Sequence, residues 1–388
     1  MHILTFSYDK TLVEGEQVGD TLLRHKRYSE YLDKLDIVVP APSKTRRDEI
    51  KVSEKLTIYP SYGPKVLSWL RSYLKARKIC QASKVDIVVT QDPLLGVLGV
   101  LLKRKFGCKL FVNVFGTEMF SERWLKRDIA HRLYKPAIHW SLRNADLVRT
   151  ETDRLKEFLM ETFKMPSDRI VAILVVPSPE SINSLVNAEG YEARKSLLEN
   201  KYEQIVLFVG RLVDAKDLPN FLRAARLVIN EYPKTLFAII GEGPERGRLE
   251  KLCRELDIAN NVRFLGATPF DEVTSYYAAC DVFVLSSWSE GFGRVMMEAA
   301  LAKKPVVATD VGGARITIID NETGYIVEVA NSEQMADRIQ RLLGNPQLAQ
   351  KMGLKGHEQA LKLFGFEKNV KKLIAAWENM INKDKAGG

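Results

Sequence analysis

The chain is expected to fold as two doubly wound α/β halves, each a parallel sheet covered on both faces by helices. Three observations predict this. Short apolar, β-branched runs recur along the chain with helical patterns between them, as strands buried on both faces require. The 388 residues exceed one ordinary domain, so two are expected. The alternation breaks once, at Val176-Pro177-Ser178-Pro179, and restarts after a polar stretch that reaches Asn200.

In the first half the candidate strands are His2–Phe6, Asp36–Val39, Leu56–Tyr59, Asp86–Thr90, Lys109–Val114, Asp146–Thr150 and Ile170–Val175. Helical patterns cover Gly19–Leu35, Pro64–Ser83, Gly96–Phe106, Ile129–Asn144 and Thr152–Thr162. In the second half the strands are Gln204–Val209, Thr235–Ile240, Val262–Leu265, Asp281–Leu285, Pro305–Thr309 and Tyr325–Val329. There is no short-period repeat, and the terminal Lys383–Gly388 is expected to fray.

The composition, 46% hydrophobic and 28% charged, is that of a soluble globular protein. Cys80, Cys108, Cys253 and Cys280 form no C-x-x-C pair, so reduced, mostly buried thiols in a cytoplasmic protein are expected. Met1 leads directly into a strand, which predicts no signal peptide. The most apolar run, Leu94 to Leu102, is too short for a bilayer. The net charge of +9 is uneven: residues 1–177 hold 31 Lys and Arg against 21 Asp and Glu, an excess of +10, so the second half carries −1. The first half is therefore expected to face something anionic. No nucleic-acid module is recognisable.

The second half sets unusual residues at the carboxyl ends of its strands, where an open α/β sheet binds ligands. Gly210-Arg211 follows Val209, with Lys216 beyond it; Gly241-Glu242-Gly243-Pro244 follows Ile240; Gly266 follows Leu265; Gly312-Gly313 comes after Thr309. The richest such stretch is Ser286 to Leu301, S-S-W-S-E-G-F-G-R-V-M-M-E-A-A-L. There Gly291 and Gly293 flank Phe292 in a turn that opens a helix, with Glu290 before it and Glu298 two turns along. Such a turn is either a tight strand-to-helix connection or a phosphate site formed by free N–H groups and the helix dipole. Arg211 and Lys216 are either solvated surface or a grip on a diphosphate, the guanidinium taking two oxygens and the ammonium acting as a point charge. Glu290 and Glu298 are not a hydrolytic pair. Eight residues along a helix rise about 12 Å, whereas hydrolase carboxylates sit roughly 5–9.5 Å apart. Glu290 could accept hydrogen bonds from sugar hydroxyls and Glu298 from a ribose diol.

The stretch S-E-G-F-G-R-V-M-M-E-A-A-L resembles the E-x7-E motif of retaining, nucleotide-sugar-dependent glycosyltransferases with the GT-B fold, above all the glycogen-synthase-like family 4. G-R-L-V-D-A-K-D resembles that family's G-R-L-x-x-x-K-G, and G-E-G-P-E its G-x-G-P loop. V-R-F-L-G, Y-Y-A-A-C-D-V-F-V-L, P-V-V-A-T-D-V-G-G and the closing F-G-F-E-K-N-V resemble the segments that follow. The likeness covers residues 203–380, while the first half matches loosely. It implies two Rossmann-like domains facing a central cleft, an acceptor domain at 1–177 and a donor domain at 178–362, with a helix in 363–388 returning to the first. Arg211 and Lys216 would stabilise the departing diphosphate, and Glu290 would contact the transferred sugar. Gly210, Gly241, Gly243, Gly291, Phe292, Gly293 and Val295 would line the donor, and Glu298 would hold the ribose. The acceptor side would include Gly15, Gly19, Thr117 and Glu118. The donor would be a UDP- or GDP-sugar, the acceptor a glycan or lipid-linked glycan, with no cofactor, no metal and no protein nucleophile.

Several positions depart from the family pattern. Phe115 stands where many relatives carry histidine; Asp217 and Lys303 replace common glycines; Ile316 replaces a common glutamate. These read as substrate tuning. Among His2, His25, His131, His139 and His357 no metal set is spaced; His2 begins a strand, and His25 is expected on a helix surface near the cleft, the alternative being contact with the acceptor. Two basic, aromatic segments, Pro64–Lys84 with Trp69, Leu70, Tyr73 and Leu74, and Arg123–Arg127 with Trp124, suit either a core-facing stripe or an anionic membrane surface. The chain is expected to be a cytoplasmic retaining glycosyltransferase that could sit peripherally on the membrane. The alternatives are a nucleotide-sugar epimerase or phosphorylase of the same fold, or a non-catalytic binder of membrane or nucleic acid.

Overall fold

The computed structural model describes residues 1–14, 20–41, 48–120 and 129–382. Gly15, Gly19 and Arg123–Arg127 lie outside them. The chain divides into two compact units, residues 1–178 with 366–388, and residues 179–365.

The first unit holds strands β1 (His2–Phe6), β2 (Lys34–Ala41), β3 (Ile50–Lys51), β4 (Leu56–Tyr62), β5 (Ile87–Thr90), β6 (Lys109–Asn113), β7 (Leu147–Thr150) and β8 (Ile170–Ala172). They form one sheet in the order β3-β4-β2-β1-β5-β6-β7-β8, parallel except for β3 against β4. The expected apolar runs are these strands, and β1, β5 and β7 are buried at every residue. Leu4, Phe6, Val88, Leu110, Val112 and Val148 build the core on one side of the sheet. The helix Phe366–Asn382 also belongs to this unit. Its Phe366 ring stacks on Tyr28, 5.8 Å between centroids, and its Trp377 meets Phe111 edge-on at 5.9 Å.

The structure corrects or refines these expectations at four points. The helix drawn over Gly19–Leu35 runs only Thr21–Glu30, because Lys34 and Leu35 pair with His2 and Ile3 in the parallel ladder. The two-residue β3 was not anticipated; it is antiparallel and too short to show a period. On the helix Lys65–Ala82, Trp69 and Tyr73 pack against the core, while Val66, Leu67, Leu70 and Leu74 are exposed. His25 is half-buried rather than solvated surface: it lines a cavity, and burial, with the neighbouring Arg24 charge, lowers its pKa to about 3.

The second unit holds β9 (Gln204–Val209), β10 (Thr235–Ile240), β11 (Val262–Gly266), β12 (Val282–Leu285), β13 (Val306–Thr309) and β14 (Gly324–Val327). Their order is β11-β10-β9-β12-β13-β14, and every pair is parallel. The carboxyl ends of the six strands therefore share one edge. Helix Leu218–Glu231 buries Phe221, Leu222, Ala225 and Val228, and the Phe221 ring lies 5.8 Å from Phe208 and 5.6 Å from Phe237. Helix Ser332–Leu343 turns Met335, Ile339 and Leu342 inward and is capped by Asn331, whose side chain accepts from the Gln334 amide.

A buried carboxylate ties down the first unit. Asp20, 1% exposed, accepts from Arg24 at 2.7 Å and from the Ser178 amide at 2.9 Å. Replacing Asp20 by Ala leaves the buried Arg24 charge without this partner. We expect a loss of about 3–5 kcal/mol, seen as a lower urea midpoint for the full chain.

Candidate active site

Five loops follow β13, β12, β9, β10 and β11, and hydrogen bonds or close backbone contacts join each to the next across that edge. Between β12 and β9 the contacts are densest. Lys216, in a single helical turn at Asp214–Lys216, forms an ion pair with Glu290, and the two side chains are only 19% and 11% exposed. Ser287 Oγ donates to the same Glu290 Oε1 at 2.6 Å, Ser286 Oγ donates to the Lys216 carbonyl at 2.7 Å, and Trp288 Nε1 donates to the Asp214 carbonyl at 2.9 Å. One cation and one anion are thus held together at low exposure by three side chains from the β12 loop.

The β13 loop closes the other side. Thr309 Oγ1 donates to the Ser287 carbonyl at 2.6 Å, and the Gly313 amide donates to the Phe292 carbonyl at 2.8 Å. Gly312 has φ +51, and a Cβ there would stand 2.9 Å from Glu290 Cβ, so both its conformation and its surroundings call for glycine. The Phe292 side chain is buried against Phe364, 5.7 Å between ring centroids, so it anchors the turn from inside. Gly293, φ +84, starts the helix Arg294–Leu301, with Val295 half-buried in its first turn.

On the far side of β9, the Gly210 amide donates to Ile240 O and the Leu212 amide to Glu242 O. A side chain on Gly241 would place its Cβ 2.0 Å from the Gly210 carbonyl, and one on Gly243 would stand 2.2 Å from the Leu212 carbonyl. The Gly241 amide donates in turn to Gly266 O at 2.7 Å. Arg211 is exposed and has no ion-pair partner among the described residues, which leaves its guanidinium available to an anion.

The two carboxylates of the central stretch have separate surroundings. Glu290 belongs to the Lys216 pair. Glu298 is 7% exposed; its Oε2 accepts from Tyr277 at 2.9 Å, and its Oε1 lies 3.6 Å from Arg294. Tyr277 is fully buried, and burial followed by the Glu298 charge holds its pKa well above 10, so it stays a neutral donor. Sequence reasoning singled out Arg211, Lys216, Glu290, Glu298 and the glycines. It missed Ser286, Ser287, Thr309 and Tyr277. The first three are hydroxyl residues at strand ends; Ser286 and Thr309 bond backbone carbonyls there, and Ser287 bonds the Glu290 carboxylate. Thr117, in the first unit, precedes a single turn Glu118–Phe120 and accepts at its carbonyl from the Phe120 amide. Among the described residues no group of three His, Cys, Asp or Glu could hold a metal ion.

Residues 191–359 match the family described as glycosyl transferases group 1, and residues 34–175 match the glycosyl transferase 4-like domain. The chain is 28% identical over 260 residues to alpha-D-kanosaminyltransferase of Streptomyces kanamyceticus, covering 65% of this chain and 66% of that enzyme. It spans 52–66% of the length of the curated relatives it matches first. The fold is similar to sucrose-phosphate synthase from Thermosynechococcus elongatus, with a TM-score of 0.82 and 23% identity over 99% of this chain and 100% of that one. HepE from Anabaena, solved with UDP-glucose, gives a TM-score of 0.76 at 19% identity, covering 98% of this chain and 100% of that one.

Tyr277→Phe removes a buried hydrogen bond to a carboxylate and leaves the ring in place. The expected cost is about 1.5–3 kcal/mol, measured as a fall in the urea midpoint of the full chain.

Proposed function

Since this chain belongs to the glycosyltransferase 4-like family and has its GT-B fold, we propose that it is a retaining hexosyltransferase that moves a sugar from UDP or GDP to a glycan or lipid-linked acceptor. The observation that carries this is the coupled set of Lys216, Glu290 and Arg211, which has no ion-pair partner among the described residues, at the carboxyl ends of β9 and β12.

Arg211 and Lys216 neutralise the diphosphate as the C1–O bond to it breaks, a charge that grows only in the transition state. Lys216 is already held by Glu290, so its ammonium needs little reorganisation. Glu290 keeps a second oxygen for a hydroxyl of the transferred sugar. Amides at Gly291 and Gly293, with the helix Arg294–Leu301 behind them, add positive potential. Glu298 takes the ribose hydroxyls, its carboxylate fixed by Tyr277. The acceptor oxygen bonds to C1 on the face the diphosphate leaves, and its proton passes to the departing phosphate oxygen. The cationic side chains do the work a metal would otherwise do.

A membrane-bound acceptor is supported by the helix Lys65–Ala82. Val66, Leu67, Leu70 and Leu74 are 84%, 39%, 54% and 43% exposed, and Arg71 and Lys78 stand exposed among them. Apolar residues flanked by cations on a unit of excess positive charge fit an anionic lipid surface at the cytoplasmic face. Among the described residues no helix is long and apolar enough to cross a membrane.

Arg211→Ala is the cleanest test of the donor site, because no described ion pair is lost with it. In a panel of UDP- and GDP-sugars, nucleotide release should fall by about a hundredfold or more with the thermal midpoint unchanged; near-normal release would sink the assignment. Lys216→Ala should fall as far but also lower stability, since it strands Glu290. Leu70→Ser with Leu74→Ser should abolish flotation with anionic vesicles; no flotation of the unmodified chain would remove the membrane reading, and equal flotation with neutral vesicles would remove its anionic preference.

A further inference from the structure

The first unit contains a cavity of about 90 Å³ on the sheet face that carries Thr5, Val89 and Phe111, covered by the helices Thr21–Glu30 and Phe366–Asn382. It reaches the carboxyl ends of β1, β5 and β6 at Ser7, Gln91 and Asn113. Three residues that line it each carry a polar atom with no hydrogen-bond partner among the described residues: His25 Nδ1, Asn113 Oδ1 and Trp377 Nε1. Asn113 and Trp377 are 6% and 4% exposed, so solvent does not satisfy them from outside. Buried polar atoms are rarely left unpaired in folded proteins. Three around one cavity, contributed by a strand and both covering helices, imply an occupant.

The chemistry of that occupant can be read from the atoms. Asn113 Nδ2 donates to the Thr90 carbonyl at 2.8 Å, which fixes the amide so that Oδ1 is the free acceptor. An indole N–H can only donate. A neutral imidazole offers one donor and one acceptor. The cavity's cations are already engaged: Arg24 with Asp20, and Arg149 with the carbonyls of Ile173 and Leu174 at 2.8 and 2.6 Å. An anion would leave Asn113 Oδ1 facing negative charge. A hydroxyl both donates and accepts, so adjacent hydroxyls satisfy all three atoms, and the Phe111 and Trp377 rings suit the carbon skeleton between them.

We propose that this cavity is a subsite for an uncharged polyhydroxyl group, the hydroxylated end of the acceptor, held by Asn113 Oδ1 and Trp377 Nε1. The volume admits about three waters or the hydroxylated edge of one ring. The link to an acceptor rests on the glycosyltransferase reading; the polyol site itself does not.

The test uses the full chain labelled with ¹⁵N-indole tryptophan, the Trp377 N–H signal being assigned by its absence in Trp377→Phe. Methyl α-glucoside, myo-inositol, glycerol and inorganic phosphate are titrated separately. We expect a saturable shift of that signal with at least one polyol, and about tenfold weaker binding in Asn113→Leu, the loss of one good hydrogen bond. If Asn113→Leu does not fold, His25→Phe serves in its place. No shift with any polyol, which would mean that water alone fills the cavity, overturns the proposal. So does a shift with phosphate alone, or polyol binding indifferent to the substitutions. Nucleotide release from sugar nucleotides is measured in parallel on the unmodified chain: its absence alongside a polyol shift would remove the glycosyltransferase reading and leave the polyol site standing.

Discussion

The second unit is organised by the contact between Lys216 and Glu290. A lysine and a glutamate from loops 74 positions apart in sequence meet at low exposure, and Ser287 completes the carboxylate. The pair does more than neutralise itself. It registers the β9 loop against the β12 loop, and the neighbouring loops are bonded outward from these two in the order of their strands. A parallel sheet makes this possible, because every strand delivers its following loop to the same edge. Charge, backbone amides and a helix start then converge without any residue leaving its own loop.

Much of this was legible in the sequence. Strands buried on both faces must be apolar at nearly every position, so β1, β5, β9 and β10 announce themselves as runs. The site was legible where it uses residues with few other reasons to be there: glycines in succession at strand ends, and carboxylates and cations beside them. What stayed hidden was of two kinds. Hydroxyl residues such as Ser287, Thr309 and Tyr277 occur throughout, and nothing local says which carboxylate or carbonyl they will meet. Register was the other. Lys34 and Leu35 fit a helical period as well as a strand, and the β1 partner that decided between them is more than 30 residues away.

The first unit divides its aromatic and apolar residues between two tasks. On the helix Lys65–Ala82, a stripe of aliphatic side chains remains outside while Trp69 and Tyr73 turn inward. The inward pair sits where a core needs large rings. The helix Phe366–Asn382 brings Phe366 and Trp377 back onto the other face of the same sheet, where packing is incomplete and polar atoms line the gap. A sheet face that is closed by residues from the far end of the chain can change its lining by substitutions there, with no change to the strands.

Asp217 and Lys303 stand where the family motifs that the sequence resembles have glycine, yet they adopt φ +43 and +63, the left-handed conformation that glycine favours. The backbone takes the path that glycine would ease, without the glycine. Aspartate tolerates that region through its short polar side chain, but lysine gains nothing from it. Homologues are therefore better recognised by the turn that a position makes than by the letter that usually makes it.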